Sequence, residues 1–177
     1  MKQQEKKILG EERRELILQW LTEEDQPITG NLLATKTNVS RQVIVQDISL
    51  LKARNYPILA TAQGYVLIKD HLKSTMVSKV FACKHRPEET EDELNIIVDH
   101  GGLVKDVVVE HPVYGDLTAS LMIRNRRDVQ QFIKRMASTK ASLLSQLTAG
   151  VHLHTIEAKN EEVLEEIGQA LAKAGFL

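Results

Sequence analysis

What this sequence lacks narrows it first. A single cysteine, Cys83, in 177 residues rules out an internal disulfide framework and a thiolate zinc cluster. Aromatic residues make up only 4%, so the core must be built from Leu, Ile, Val and Ala. No apolar run approaches the ~18 residues that a transmembrane helix needs. No apolar segment follows the opening Met-Lys-Gln-Gln-Glu-Lys-Lys as it would in a secretory signal, so the expected compartment is the cytoplasm. There is no G-x-S-x-G nucleophile motif and no P-loop. A net charge of -1 excludes a wholesale polycation. With 27% charged residues the composition is that of a globular chain, long enough for one large domain or two small ones.

Histidine is missing from the first 70 residues, and all six (71, 85, 100, 111, 152, 154) follow. Residues 28–69 carry five basic residues (Lys36, Arg41, Lys52, Arg54, Lys69) against one acid, Asp47. A locally basic first domain over residues 8–70 therefore precedes a histidine-bearing second domain over residues 74–177, with the boundary near Asp70 to Ser74.

The first domain reads as a winged helix-turn-helix. Leu16, Ile17, Trp20 and Leu21 share one face of a helix over 11–22, which Asp25-Gln26-Pro27 breaks. A second helix over 29–36 is expected to turn Leu32 and Leu33 inward. Thr37-Asn38-Val39 makes a turn, and Ser40 fits an N-cap. Ile44, Ile48 and Leu51 then mark a buried stripe, with Arg41, Gln42, Val45 and Gln46 on the other side. Two short strands, 57–60 and 64–68, form the wing. In such a motif the N-terminal end of the second helix reads base edges in the major groove. Arg41 can donate twice to guanine, and Gln42 or Gln46 can pair with adenine. Lys36, Lys52 and Arg54 can neutralise phosphates. The bland alternative is a packing module with a solvated basic face.

The second domain reads as βαββαβ with an extra C-terminal helix: strands 76–85, 103–110, 116–123 and 150–158, and helices 87–100, 127–137 and 161–174. The class is α+β, and the order suggests a ferredoxin-like antiparallel sheet with helices mainly on one face. First and last strands would be antiparallel neighbours. His152 and His154, two apart, share one face of the last strand, and His85 at the end of the first can meet them there. Glu93, on the edge of the following helix's inward face, leans toward the same end. Three imidazoles and a carboxylate suit one divalent transition metal per chain, whether zinc, nickel, iron or cobalt. A satisfied polar patch is the alternative. Cys83 shares the strand parity of His85 and can be an additional ligand, although a small buried thiol is the reading preferred. His100 caps a helix end, and His111, with Tyr114 close by in a turn between two strands, can line a pocket for a small anion or merely decorate the turn, the reading preferred.

Residues 32–51 (LLATKTNVSRQVIVQDISLL) resemble the winged helix of the biotin-repressor type, although no glycine-rich segment suited to a biotinyl-adenylate accompanies them. LTAGVHLHTIEA (147–158), VVVEHPVYGDL (107–117) and NIIVDHGG (95–102) resemble the 3H domain. Together, from about residue 10 to 177, the chain resembles the NiaR-type transcriptional repressors of bacterial NAD biosynthesis and niacin transport. The resemblance implies a homodimer that binds double-stranded operator DNA with nicotinic acid as co-repressor. It implies a metal held by His85, Glu93, His152 and His154, and it adds His111 and Tyr114 as candidates near the effector. Rival readings are a regulator for which the metal itself is the signal, a small metallohydrolase tethered to DNA, and a bare dimerisation module.

Overall fold

A computed structural model of the chain describes residues 8–68 and 76–177. The expected domain boundary near residues 70–74, with Lys69 and His71, lies outside the described residues. The chain divides into two compact units, Met1–His71 and Leu72–Leu177. No helix among the described residues is long and apolar enough to cross a membrane.

The first unit packs α1 (Gly10–Glu23), α2 (Gly30–Thr37) and α3 (Arg41–Ala53) against a hairpin of β1 (Ile58–Thr61) and β2 (Gly64–Leu67). Ile17, Leu21, Leu33, Ile44, Ile48 and Leu51 form its core. Side-chain caps start both helices of the motif. Thr29 Oγ1 accepts from the Leu32 amide at 3.2 Å, and Ser40 Oγ accepts from the Val43 amide at 3.4 Å. Between them Asn38 takes the left-handed conformation at φ 52°, which Asn tolerates well. Leu33 and Ala34 of α2 face the core, whereas Leu32, expected inward, is exposed. The buried positions Gly30, Leu33, Ala34 and Thr37 follow i, i+3, i+4, i+7, and Leu32 falls about 100° off that stripe.

Two contacts lock α3 and the wing in place. Asp47, the lone acid of the basic stretch, is buried in α3 and accepts from Arg13 Nε at 2.5 Å and Arg14 Nη1 at 3.1 Å, both on α1. In the wing, Ile28 and Tyr65 exchange backbone hydrogen bonds of 2.9 and 2.8 Å. Gly64 allows this approach. It sits at φ 137°, and a Cβ there would lie 2.5 Å from the Ile28 carbonyl oxygen.

The second unit runs β3 (Val77–Lys84), a 3-10 turn (Pro87–Glu89), α4 (Thr90–Asp99), β4 (Leu103–His111), β5 (Gly115–Ile123), α5 (Arg126–Thr139), a second 3-10 turn (Leu144–Thr148), β6 (Val151–Ala158) and α6 (Glu161–Lys173). The α+β class and the βαββαβ order with a further helix are as expected. The sheet order is β3-β6-β4-β5, with every pairing antiparallel. The first and last strands are thus neighbours, as the sequence reading required. The last strand, however, lies inside the sheet and the first at its edge, whereas a ferredoxin-like sheet places its first strand centrally. The burial pattern explains the difference. In β6 every second residue from His152 to Ala158 is buried, while β3 exposes Ser78, Lys79 and Val80 and suits an edge. Leu94 and Ile97 of α4 and Leu164, Ile167 and Leu171 of α6 meet Phe81, Val104 and Ile156 on one face of the sheet. Val80, Val151 and Leu153 are exposed on the other.

Candidate functional site

The centre of the second unit is a buried carboxylate ringed by imidazoles. Strand alternation puts His152 and His154 on the helix-covered face of β6. Across the register Cys83 pairs with His152 and Phe81 with His154. His85, one residue past β3, keeps the parity of Cys83. Glu93 in the first turn of α4 is fully buried, and all three rings reach it. His85 Nε2 stands 2.7 Å from Oε2, His152 Nε2 3.2 Å from Oε1 and His154 Nε2 3.4 Å from Oε2.

The opposite nitrogen of every ring is already committed. Nδ1–H of His85 donates to the Arg86 carbonyl at 2.9 Å, that of His152 to Gly150 at 2.8 Å, and that of His154 to Asp106 at 2.7 Å. A carbonyl only accepts, so each Nδ1 carries its proton and each neutral ring turns a bare Nε2 lone pair toward the carboxylate. Three lone pairs facing an anion repel unless positive charge stands among them. Three imidazoliums would bury more charge than one carboxylate offsets. A single divalent cation satisfies both sides, and backbone acceptors behind the ligating imidazoles are the usual support for one. Donors sharing one ion at about 2.0–2.1 Å stand roughly 3 to 3.4 Å apart, close to the three distances from the imidazoles to Glu93. The residues present therefore fit a transition-metal ion.

In the metal-free protein protons stand in for that charge. Burial alone would raise the Glu93 pKa, but hydrogen bonds from His152, His154 and His85 outweigh it and hold the carboxyl far below its usual range. Burial would lower His85 and His154, yet Glu93 and the backbone carbonyls keep both above the ordinary imidazole value. Cys83 comes closer to this centre than a filler thiol needs to. Donor atoms of Cys83, Glu93 and His152 lie within 4.8 Å of one another. Burial first, then the Glu93 charge, keeps its thiol protonated.

One glycine makes the cluster possible. Gly150, at φ 93°, precedes β6, and a Cβ there would collide with the His85 carbonyl oxygen. Its own carbonyl orients His152.

The cluster is one wall of a cavity of about 160 Å³. Leu94, Val107, Leu121, Phe132, Met136 and Leu143 make much of the rest apolar, and Thr90, Ser142 and Ser145 are the hydroxyl-bearing residues of the lining. Phe132 and Met136 are legible in the sequence only as the inward face of a helix. Thr90 was not singled out there, though it lies one helical turn before Glu93. His111 and Tyr114 do not line this cavity. They form the tip of the β4–β5 hairpin, where His111 Nδ1 accepts from the amides of Val113 at 3.1 Å and Tyr114 at 3.3 Å. His100 Nδ1 donates to the Ile96 carbonyl at 2.7 Å and closes α4.

In the first unit, Arg41, Gln42 and Gln46 are exposed along the N-terminal half of α3, behind the Ser40 cap, and Lys52 is exposed near its end. Lys36 lies over the Trp20 ring, 4.8 Å from its centroid. Arg54 sits past the C-terminus of α3 and is held by Glu11 through bonds of 2.7 and 3.3 Å, so it is not a free cation.

Residues 13–66 match the model of an HTH domain, and residues 78–177 match that of the 3H domain. The chain is 54% identical to the transcription repressor NadR of Bacillus subtilis over 175 residues, 98% of this chain and 97% of that protein. It is 43% identical to the probable transcription repressor NiaR of Thermotoga maritima over 171 residues, 97% of this chain and 96% of that protein. An HTH domain followed by a 3H domain, matched end to end with these relatives, places the chain in the NadR/NiaR family of DNA-binding transcription repressors, which are not enzymes.

Proposed function

We propose that this repressor controls genes of NAD biosynthesis or niacin uptake in the cytoplasm, with nicotinic acid as co-repressor bound in the 3H cavity beside a divalent metal. One observation carries the reading: three imidazoles of fixed tautomer converge on a buried carboxylate at the wall of an otherwise apolar cavity. A cavity of about 150 Å³ accepts a benzene-sized ring, and this one measures about 160 Å³. A pyridine ring with a carboxylate pairs an apolar body with a polar end suited to the cluster. His85, Glu93, His152 and His154 would hold the ion, and their chemistry admits nickel, zinc, iron or cobalt. The bound ion supplies a Lewis-acidic position for an anionic or nitrogen donor. The apolar wall excludes water from the ring, and the backbone carbonyls of Arg86, Gly150 and Asp106 keep the imidazoles aimed.

Repression follows from geometry. In a homodimer two copies of α3 enter successive major grooves, with Ser40, Arg41, Gln42 and Gln46 at the bases and Lys36 and Lys52 at phosphates. Nicotinic acid acts by its higher affinity for the dimer geometry that fits the operator. This reading rests on the cavity and leaves His111 and Tyr114 to the hairpin.

The test is calorimetric titration of nicotinic acid into metal-loaded and chelator-stripped protein. Binding that requires metal supports a ligand at the cluster; binding in neither form refutes the co-repressor. The complete burial of the four ligands favours one second reading, in which the metal is itself the signal. Metal-dependent operator binding that ignores nicotinic acid would select it.

A further inference from the structure

Among the described residues, Thr90 Oγ1 is a buried side-chain oxygen with no hydrogen-bond partner. The residue is 7% exposed, opens α4 and lines the cavity. It precedes Glu93 by three positions, so the two side chains stand on one face of the helix, a turn apart. Other threonines of the chain find partners. Thr37 Oγ1 donates to the Leu33 carbonyl at 2.7 Å and Thr22 Oγ1 to Leu18 at 2.7 Å. A helical threonine has that option, and a valine would fill the same volume without a polar atom. An orphaned buried hydroxyl costs stability, and in native proteins it marks a strain reservoir, a catalytic role, or a position where a water, an ion or a ligand group supplies the partner.

The surroundings decide between these. Thr90 is one of the residues that line a cavity whose walls beyond the cluster are mainly aliphatic and aromatic, with Ser142 and Ser145 the other hydroxyl-bearing residues, which is how small-molecule sites fix orientation with few polar groups. From this placement we infer that Thr90 is the positioning residue for the effector's carboxylate: its hydroxyl donates a hydrogen bond to one carboxylate oxygen, while the ring lies against Leu94, Phe132 and Met136. The inference deepens the proposed co-repressor site and rests on it. It assigns the orientation of the ligand to a residue outside the metal set. Because the acceptor is charged, the bond belongs to the stronger class.

The test uses the full-length, metal-loaded protein with nicotinic acid as the probe, comparing wild type with Thr90→Val and Thr90→Ser. Thr90→Val is expected to weaken nicotinic acid about tenfold or more, to leave metal affinity unchanged, and to raise the melting temperature of the effector-free protein because the orphaned hydroxyl is gone. Thr90→Ser is expected to restore binding to within a few-fold of wild type. A Thr90→Val protein that binds nicotinic acid as tightly as wild type overturns the inference and leaves the co-repressor reading standing. Wild type that fails to bind nicotinic acid overturns both.

Discussion

Replacing Glu93 by glutamine isolates the charge at the centre of the site. Glu93 is fully buried and meets the Nε2 atoms of His85, His152 and His154 at 2.7 to 3.4 Å. The amide keeps the shape and removes the anion. In the metal-free protein its NH₂ can donate to two of the three Nε2 lone pairs, so Glu93→Gln folds. Glu93→Ala leaves a hole and three unmet nitrogens and costs about 3–5 kcal/mol. Metal binding separates the account from its rivals. Loss of a supporting hydrogen bond already costs 10–100-fold in affinity, so loss of the sole charged ligand is expected to cost at least the upper figure. At free metal 1,000 times the wild-type Kd the ion stabilises wild type by about 4.1 kcal/mol, and a variant bound 100-fold more weakly gains only about 1.4 kcal/mol. Denaturant unfolding with and without metal reads the difference. A Glu93→Gln protein that keeps the full metal-induced stabilisation would refute the reasoning, because the ion would then be held elsewhere.

The other expectations divide between the two units. In metal-free protein the raised His85 and His154 contribute stability that is fully present below the ordinary imidazole value of 6.5 and lost as pH rises through their raised values. The depressed Glu93 contributes stability present above 4.5 and lost as pH falls from there toward its lowered value. Metal-free stability should therefore peak between those two values, while the increment from metal grows as pH rises through the imidazole range; a metal increment independent of pH contradicts the ligand set. Gly150→Ala should shift the His85 backbone and weaken metal binding while the first unit keeps its operator contacts, checked by metal titration and circular dichroism. Arg41→Ala should cost about 1–3 kcal/mol of operator affinity and relax preference at one base pair, whereas Arg54→Ala, already held by Glu11, should change it little; footprinting on matched operators distinguishes them. Asp47→Ala should cost about 3–5 kcal/mol because it strands the Arg13 guanidinium, read from chemical denaturation.

Much of this was legible in the chain because strand alternation and helix periodicity are strict. Once 151–158 is a strand, the spacing of His152 and His154 fixes a shared face whatever the sheet order, and an antiparallel first-and-last pairing then brings His85 to them. The Ser40 cap and the Ile44-Ile48-Leu51 stripe locate α3 for the same reason. What escaped depends on pairings across the fold. Sheet order turns on whether the first or the last strand packs against the β4–β5 hairpin, and short-range pattern does not encode that. Asp47 looked like an isolated acid until α1 supplied Arg13. The Arg54–Glu11 ion pair joins residues 43 apart in the chain, which local pattern does not foretell. Thr90 carries no motif, and only its burial without a partner gives it meaning.

The most direct test of the central claim is operator affinity of the full-length protein, measured at fixed ionic strength in four states: with and without metal, with and without nicotinic acid. The account predicts tight binding only when both are present, and loss of that gain in Glu93→Gln. Operator affinity that nicotinic acid lowers or leaves unchanged in the metal-loaded protein would contradict it.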